Sequence, residues 1–170
     1  MNLNKYIEYS RNHSYMSGIE RDRLRIKATA EVFTPTKVVQ YRLDLMEERD
    51  PTSFTDISQT FLDPSCGDGQ FLSEVVIRKM ERSNCTLEQA LSTTYGVELM
   101  EDNVKLCKER LAGPNPSNEI LEILDKNIVC YDALKYHYRF DGSHGSVTEQ
   151  QLNLAQFFNH VTGSWENTSE

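Results

Sequence analysis

Apolar residues recur along the chain with two different periods, and the alternation between them outlines a fold. After Thr34-Pro35-Thr36, a helix-start signal, Val39, Leu43 and Met46 share one face with Val38, Tyr41 and Leu45 beside them. This spacing predicts a helix to about Glu48. Arg49-Asp50-Pro51-Thr52-Ser53 reads as a turn or linker, and Thr60-Phe61-Leu62-Asp63 as a short strand entering the Gly-rich loop Pro64 to Gly69. Phe71, Leu72, Val75, Val76 and Met80 then follow at helical spacing. Thr86-x-x-Gln89 predicts the cap of a second, short helix ahead of a strand over Thr94-Tyr95-Gly96-Val97-Glu98. Val104, Cys107 and Leu111 mark a further helix that breaks at Gly113-Pro114-Asn115-Pro116. A helical segment through Ile120, Leu121, Ile123 and Leu124 leads to a third strand, Asn127 to Asp132. Strands alternating with helices need crossover connections, so this β-α-β-α-β order predicts an α/β fold with a parallel sheet covered on both faces.

The two ends differ from this middle. Residues 1–30 are polar, with Tyr6, Ile7, Tyr15, Met16 and Ile19 as scattered anchors, and they read as a helical arm. Arg21, Arg23, Arg25 and Lys27 within it are interleaved with Glu20, Asp22 and, just beyond, Glu31, the pattern of a solvated face. Beyond Arg139 there is no Lys or Arg, while Asp141, Glu149, Glu166 and Glu170 make an acidic tail. In that tail Ser146-x-x-Glu149 forms a capping box ahead of Leu154, Phe157, Phe158 and Val161, which predicts a short helix. The expected organisation is therefore an arm (1–30), an α/β domain (31–140) and an acidic tail (141–170).

Composition narrows the partners. Among 170 residues, 18 Lys+Arg stand against 26 Asp+Glu, a formal charge of -8. The field of the whole molecule repels a polyanion, which leaves DNA at most a weak partner for this chain alone. No apolar run approaches the roughly 18 to 20 residues of a membrane span, so a soluble protein with no membrane contact is expected. The first residues show neither a basic leader nor a long apolar stretch, and a cytoplasmic location is expected. Cys66, Cys85, Cys107 and Cys130 form no C-x-x-C pair and read as reduced, mostly buried thiols. His13, His137, His144 and His160 make no ligand spacing, so no metal is expected.

In a doubly wound sheet the ligand binds beyond the carboxyl ends of the strands, and all three expected strand ends carry a carboxylate, Asp63, Glu98 and Asp132. Helix capping explains one such coincidence; three beside a glycine loop point to a site. The loop lacks the third glycine of a dinucleotide fingerprint, because Leu72 stands there, and it has no phosphate-cradling G-K-S/T. Its acidic surroundings suit a cationic ligand without phosphates. A carboxylate ending the second strand can accept both hydroxyls of a ribose, and an Asp after the third can accept from an exocyclic adenine amine.

Four segments occur in order: Glu31-Val32-Phe33-Thr34-Pro35, Phe61-Leu62-Asp63-Pro64-Ser65-Cys66-Gly67-Asp68-Gly69-Gln70-Phe71-Leu72, Tyr95-Gly96-Val97-Glu98, and Asn127-Ile128-Val129-Cys130-Tyr131-Asp132-Ala133-Leu134. Together they resemble the cofactor-binding motifs of DNA adenine-N6 methyltransferases. The second is the specific one and the others support it. The resemblance, over residues 31 to 134, implies a Rossmann-like fold that binds S-adenosyl-L-methionine (SAM). It implies that Phe33, Thr34 and Pro35 border the methionine moiety, that Asp63 and Gly67 hold the amino-acid end, that Glu98 holds the ribose and Asp132 the adenine amine. Ser65, Cys66, Gly69, Phe71, Leu99 and Ala133 complete the implied cofactor site.

The family's catalytic N/D-P-P-Y/F tetrapeptide does not occur in this sequence; Gly113-Pro114-Asn115-Pro116 and the aromatic run Tyr136-His137-Tyr138-Arg139-Phe140 do not replace it. The expected fold is therefore an incomplete SAM-dependent methyltransferase fold, a truncated parallel sheet with an N-terminal helical arm. Its first strand lacks a neighbour, and the helix around Leu154 to Val161 or a second subunit is expected to cover that edge. Three readings follow: a SAM-binding domain with methyl transfer to DNA incomplete in this chain; a non-catalytic interaction protein on the same fold; or a complete methyltransferase acting on another substrate, with Tyr136 to Phe140 lining the acceptor site.

Overall fold

The computed structural model describes residues 2–13 and 34–141. Phe33, the basic stretch 21–27 and the expected tail helix lie outside these residues. In chain order the elements are α1 (Leu3–Asn12), α2 (Thr36–Arg49), β1 (Phe61–Asp63), α3 (Gln70–Ser83), α4 (Leu87–Ser92), β2 (Thr94–Glu98), α5 (Glu101–Ala112), α6 (Asn118–Asn127) and β3 (Ile128–Cys130). Local chemistry explains the boundaries. The Asn2 side chain caps α1 by accepting from Asn4 N–H, and Ser117 caps α6 by accepting from Ile120 N–H. Thr86 and Gln89 close the expected capping box at the start of α4. The third strand is shorter than its apolar run, because Asn127 completes α6. Asp132 consequently sits in the turn after β3 rather than at a strand end.

The three strands are parallel in the order β1-β2-β3. Each crossover steps one strand in the same direction, so right-handed connections lay all the linking helices on one face. There α3 packs on α4 and α5, and α4 packs on α6. Leu72, Val76, Ile77, Leu91, Cys107, Leu111, Leu124 and Ile128 form the main core, and Tyr6 of α1 is buried in it. A second cluster joins α2 to the sheet through Val39, Leu43, Phe54 and Val75, with the Phe54 and Phe61 rings stacked 5.1 Å apart.

Side-chain alternation and register put Leu62, Tyr95 and Val129 on the opposite face. Among the described residues no helix packs on that face. Its cover is the aromatic segment after β3: Phe140 lies 4.7 Å from the Tyr95 ring, and Tyr136 packs 5.2 Å from Phe140. Strand β1 pairs with β2 alone among the described residues, and Leu62 on it is 49% exposed. Among the described residues no helix is long and apolar enough to cross a membrane.

Helix α3 is buried from Leu72 to Met80, so its charged residues each need a partner. Glu74 receives both arms of the Arg11 guanidinium at 2.8 and 2.9 Å and the Gln40 amide at 3.1 Å. Arg78 pairs with Asp44 at 2.6 Å and Glu47 at 3.2 Å and lies over the Phe54 ring. Lys79 Nζ donates to Gln59 O at 2.9 Å, Thr93 O at 3.3 Å and Thr93 Oγ1 at 2.6 Å, while facing the Phe61 ring.

Burial pushes the Lys79 amine down from its ordinary 10.5 to about 8. Between these values the unfolded chain binds the proton more tightly, so Lys79 makes stability rise with pH across that window. Denaturant unfolding of the parent and Lys79→Met should show the parent gaining on the variant between pH 8 and 10.5. Parallel stability curves would refute this titration.

Candidate functional site

The carboxyl ends of β1 and β2 meet over the start of α3. Cys66 N–H donates to Val97 O at 3.1 Å, and Gly69 N–H donates to Cys66 O at 2.9 Å, folding the loop back onto β2. Gly69 stands as the N-cap of α3 with φ 81, a left-handed value that other residues rarely adopt. A Cβ there would lie 2.7 Å from Cys107 Sγ. On β2, a Cβ at Gly96 would lie 2.8 Å from both Cys66 Sγ and Leu72 Cδ1. The two glycines therefore let the loop, β2 and α5 approach to a distance that any side chain would prevent.

Asp63, at the end of β1, accepts from Ser65 N–H at 3.0 Å. Burial raises its carboxyl above the ordinary carboxylate range, against the lowering effect of that N–H. A carboxyl whose charged form is disfavoured by burial, beside a loop of glycines, is a candidate binding group. Ser65 is exposed beside it, whereas Cys66 is buried and Phe71 packs into the second core cluster.

Glu98 closes the rim. Its Oε2 accepts from Gly67 N–H at 2.9 Å, and its Oε1 accepts from Met100 N–H at 2.9 Å and from Asn103 Nδ2 at 3.4 Å. One carboxylate thus joins the glycine loop to the first turn of α5, which has no side-chain cap of its own. Each carboxylate oxygen has two lone-pair sites, so Oε2 keeps acceptor capacity beyond the Gly67 bond.

The remaining segments arrive from both sides. Gln70 Nε2 donates to Thr36 Oγ1 at 2.7 Å, which brings Thr34 and Pro35, at the start of α2, beside the start of α3. Tyr131 N–H donates to Glu98 O at 2.9 Å and carries the chain into the turn of Asp132 and Ala133. There Asp132 Oδ1 accepts from Leu134 N–H at 3.0 Å, and its Oδ2 lies 3.4 Å from Lys135 Nζ. Leu99 is exposed on the rim, and its carbonyl accepts from the Cys130 thiol at 3.6 Å. Burial pushes that thiol up to about 11. The Cys66 thiol is also raised, by its hydrogen bond with Cys107 and then by burial, so both are neutral and poor nucleophiles. All four cysteines are free.

Sequence reasoning missed the pair beneath the loop. Asp68 Oδ2 and Arg110 Nη2 are 2.7 Å apart, both side chains almost fully buried, and Arg110 Nε donates to Asp68 O at 2.9 Å. A signal was present: Arg110 falls one helical turn from Cys107 and two from Asn103, on the buried stripe of α5, where a charge needs a partner. A separate groove of about 370 Å³, lined by Lys5, Glu88, Pro114, Ser117 and their neighbours, shares no residue with this rim.

Comparison with protein-family models, with curated proteins and with solved structures returns no match for this chain.

The raised Asp63 carboxyl has a definite sign in stability. Its favourable contribution is present below the ordinary Asp pKa and is lost as pH rises through the folded value. Asp63→Asn, which keeps the acceptor for Ser65 N–H, should therefore melt higher than the parent at pH 7. The advantage should shrink as pH falls below the ordinary value of 3.8. A lower melting temperature for the variant at pH 7 would show that the ionised carboxylate stabilises the fold instead.

Proposed function

We propose that residues 31–140 are a SAM-binding domain of the DNA adenine-N6 methyltransferase type, with methyl transfer to DNA incomplete in this chain alone. The observation that carries the reading is the convergence of Thr34-Pro35, the Asp63–Gly69 loop, Glu98 and the Asp132 turn on one rim of a parallel sheet. Their chemistry fits the ligand. Asp63 offers a carboxylate to an ammonium, Gly67 brings no side chain to obstruct a ligand at the loop, and Glu98 Oε2 retains capacity for a ribose hydroxyl. Asp132 would take the adenine amine. SAM, when bound, supplies an electrophilic methyl on a sulfonium. The chain's own residues bind and orient that group. Without an N/D-P-P-Y/F tetrapeptide, the alignment of a target amine falls to groups outside this site.

Calorimetric titration tests the reading. The 170-residue chain should show saturable one-site binding of SAM, and Asp63→Ala should weaken it by about tenfold or more, the effect of losing a charge-assisted hydrogen bond. An absence of heat at about 1 mM ligand, or equal affinity of parent and variant, would overturn the assignment.

A second reading is a non-catalytic protein that uses the same fold to hold a protein partner, with a second copy of this chain as the simplest candidate. It is favoured by Val38, Tyr41 and Leu45, an exposed apolar stripe on α2 facing away from its buried one, and by exposed Leu62 on the edge strand. Sedimentation velocity should then show concentration-dependent association that Leu45→Glu abolishes; a monomer at every concentration counts against it.

A further inference from the structure

Among the described residues three buried polar side-chain atoms make no full hydrogen bond, Ser10 Oγ, His13 Nε2 and Asp68 Oδ1, and Glu109 Oε2 lies 3.8 Å from His13 Nε2. All three lie at one joint, where the C-terminal end of α1 meets the last turn of α5 and the glycine loop. The joint is otherwise tightly made. Three consecutive residues of α5 are engaged: Tyr9 Oη donates to Glu109 O at 3.3 Å, Arg110 Nη1 donates to Ser10 O at 2.8 Å, and Tyr6 Oη donates to Leu111 O at 3.1 Å. Ser10 O is among the last carbonyls of α1, which have no partner within the helix, so Arg110 also serves that helix end as a cation.

The same guanidinium holds the loop. Nε and Nη2 reach the carbonyl and carboxylate of Asp68, which stands between Gly67 at φ 53 and Gly69 at φ 81. Two successive left-handed glycines bracket this residue, so the backbone around it has many alternatives open to it. The rigid fork of one arginine selects among them. We propose that Arg110 is the positioning residue of the glycine loop and that it couples the loop's capacity for its ligand to the docking of α1. The proposal rests on the reading of the loop as a SAM site, and α1 becomes a regulator in cis of that site. The incompletely bonded atoms make this joint less costly to open than a fully satisfied one, since their groups reach water when it opens. Arg11, through its two bonds to Glu74, is the clamp that holds α1 closed from the α3 side.

Two full-length variants test this. Arg110→Lys keeps the charge but cannot bridge Ser10 O and both Asp68 acceptors; Arg11→Gln, at a partly exposed position, loosens α1 and leaves Arg110 and the loop intact. SAM affinity is measured by calorimetry well below the melting temperature, and hydrogen exchange is followed at the amides of Gly67, Asp68 and Gly69 against those of β3. Arg110→Lys should weaken SAM by about tenfold and speed loop exchange by at least as much, with β3 unchanged; Arg11→Gln should do both to a smaller degree. A merely structural role gives unchanged affinity of the folded protein and exchange that rises together in loop and strand, and that result overturns the proposal. Should Arg110→Lys fail to fold, Arg11→Gln alone decides between these outcomes. Should the parent not bind SAM, the functional reading falls. The coupling is then decided by whether exchange in the variants rises selectively in the loop or not.

Discussion

A helix buried on three sides that nevertheless carries charge sets the terms for the rest of this molecule. Helix α3 runs under the sheet with Glu74, Arg78 and Lys79 all removed from water, and a buried charge without a partner is untenable in a domain of ordinary stability. Each therefore recruits a different neighbour. Glu74 draws in α1 through Arg11 and α2 through Gln40; Arg78 fixes α2 through Asp44 and Glu47; Lys79 ties the segment before β1 to the residue before β2. The apolar side of the helix supplies most of the burial free energy, but it is non-directional. The three charges decide which elements lie where.

That arrangement matters for the rim because α3 begins at Gly69. With its body held by the ion pairs of Glu74 and Arg78 and the hydrogen bonds of Lys79, its first turn is a fixed platform from which the loop returns to β1. The rim is then finished by groups that serve structure and site together. Glu98 caps α5 in place of a missing side-chain cap and, with its other oxygen, holds Gly67 N–H. Asp63 differs, since its ionisation is disfavoured by its surroundings. Glu98 thus serves the fold and the proposed site at once, whereas burial works against the charge of Asp63.

Much of this was legible in the sequence. The order of elements, the Thr86 box, β2 to the residue and the meeting of Asp63, the glycine loop and Glu98 follow from periodicity, capping and turn chemistry, all local in the chain. What was not legible is long-range. Arg11 with Glu74 and Asp68 with Arg110 span 63 and 42 residues, and no local pattern announces a partner at that distance. The strand order β1-β2-β3 turns both crossovers to the same side, and Phe140, which no periodicity places there, meets Tyr95 on the other face. The apolar run to Tyr131 places Asp132 at a strand terminus, while α6 claims Asn127 and leaves β3 short.

The contacts of Gly96 and Gly69 have an evolutionary corollary. Gly96, Cys66, Cys107 and Gly69 stand in a row in which each neighbour occupies the space the next would need for a larger side chain. An alanine at Gly96 is obstructed until both Cys66 and Leu72 have given way, and one at Gly69 meets the Cys107 side chain on a left-handed backbone. Substitution at these positions is thus ordered as well as restricted: the crowding side chains must yield before a methyl can arrive. Lineages descending from this chain should change these positions together, the crowding side chain first.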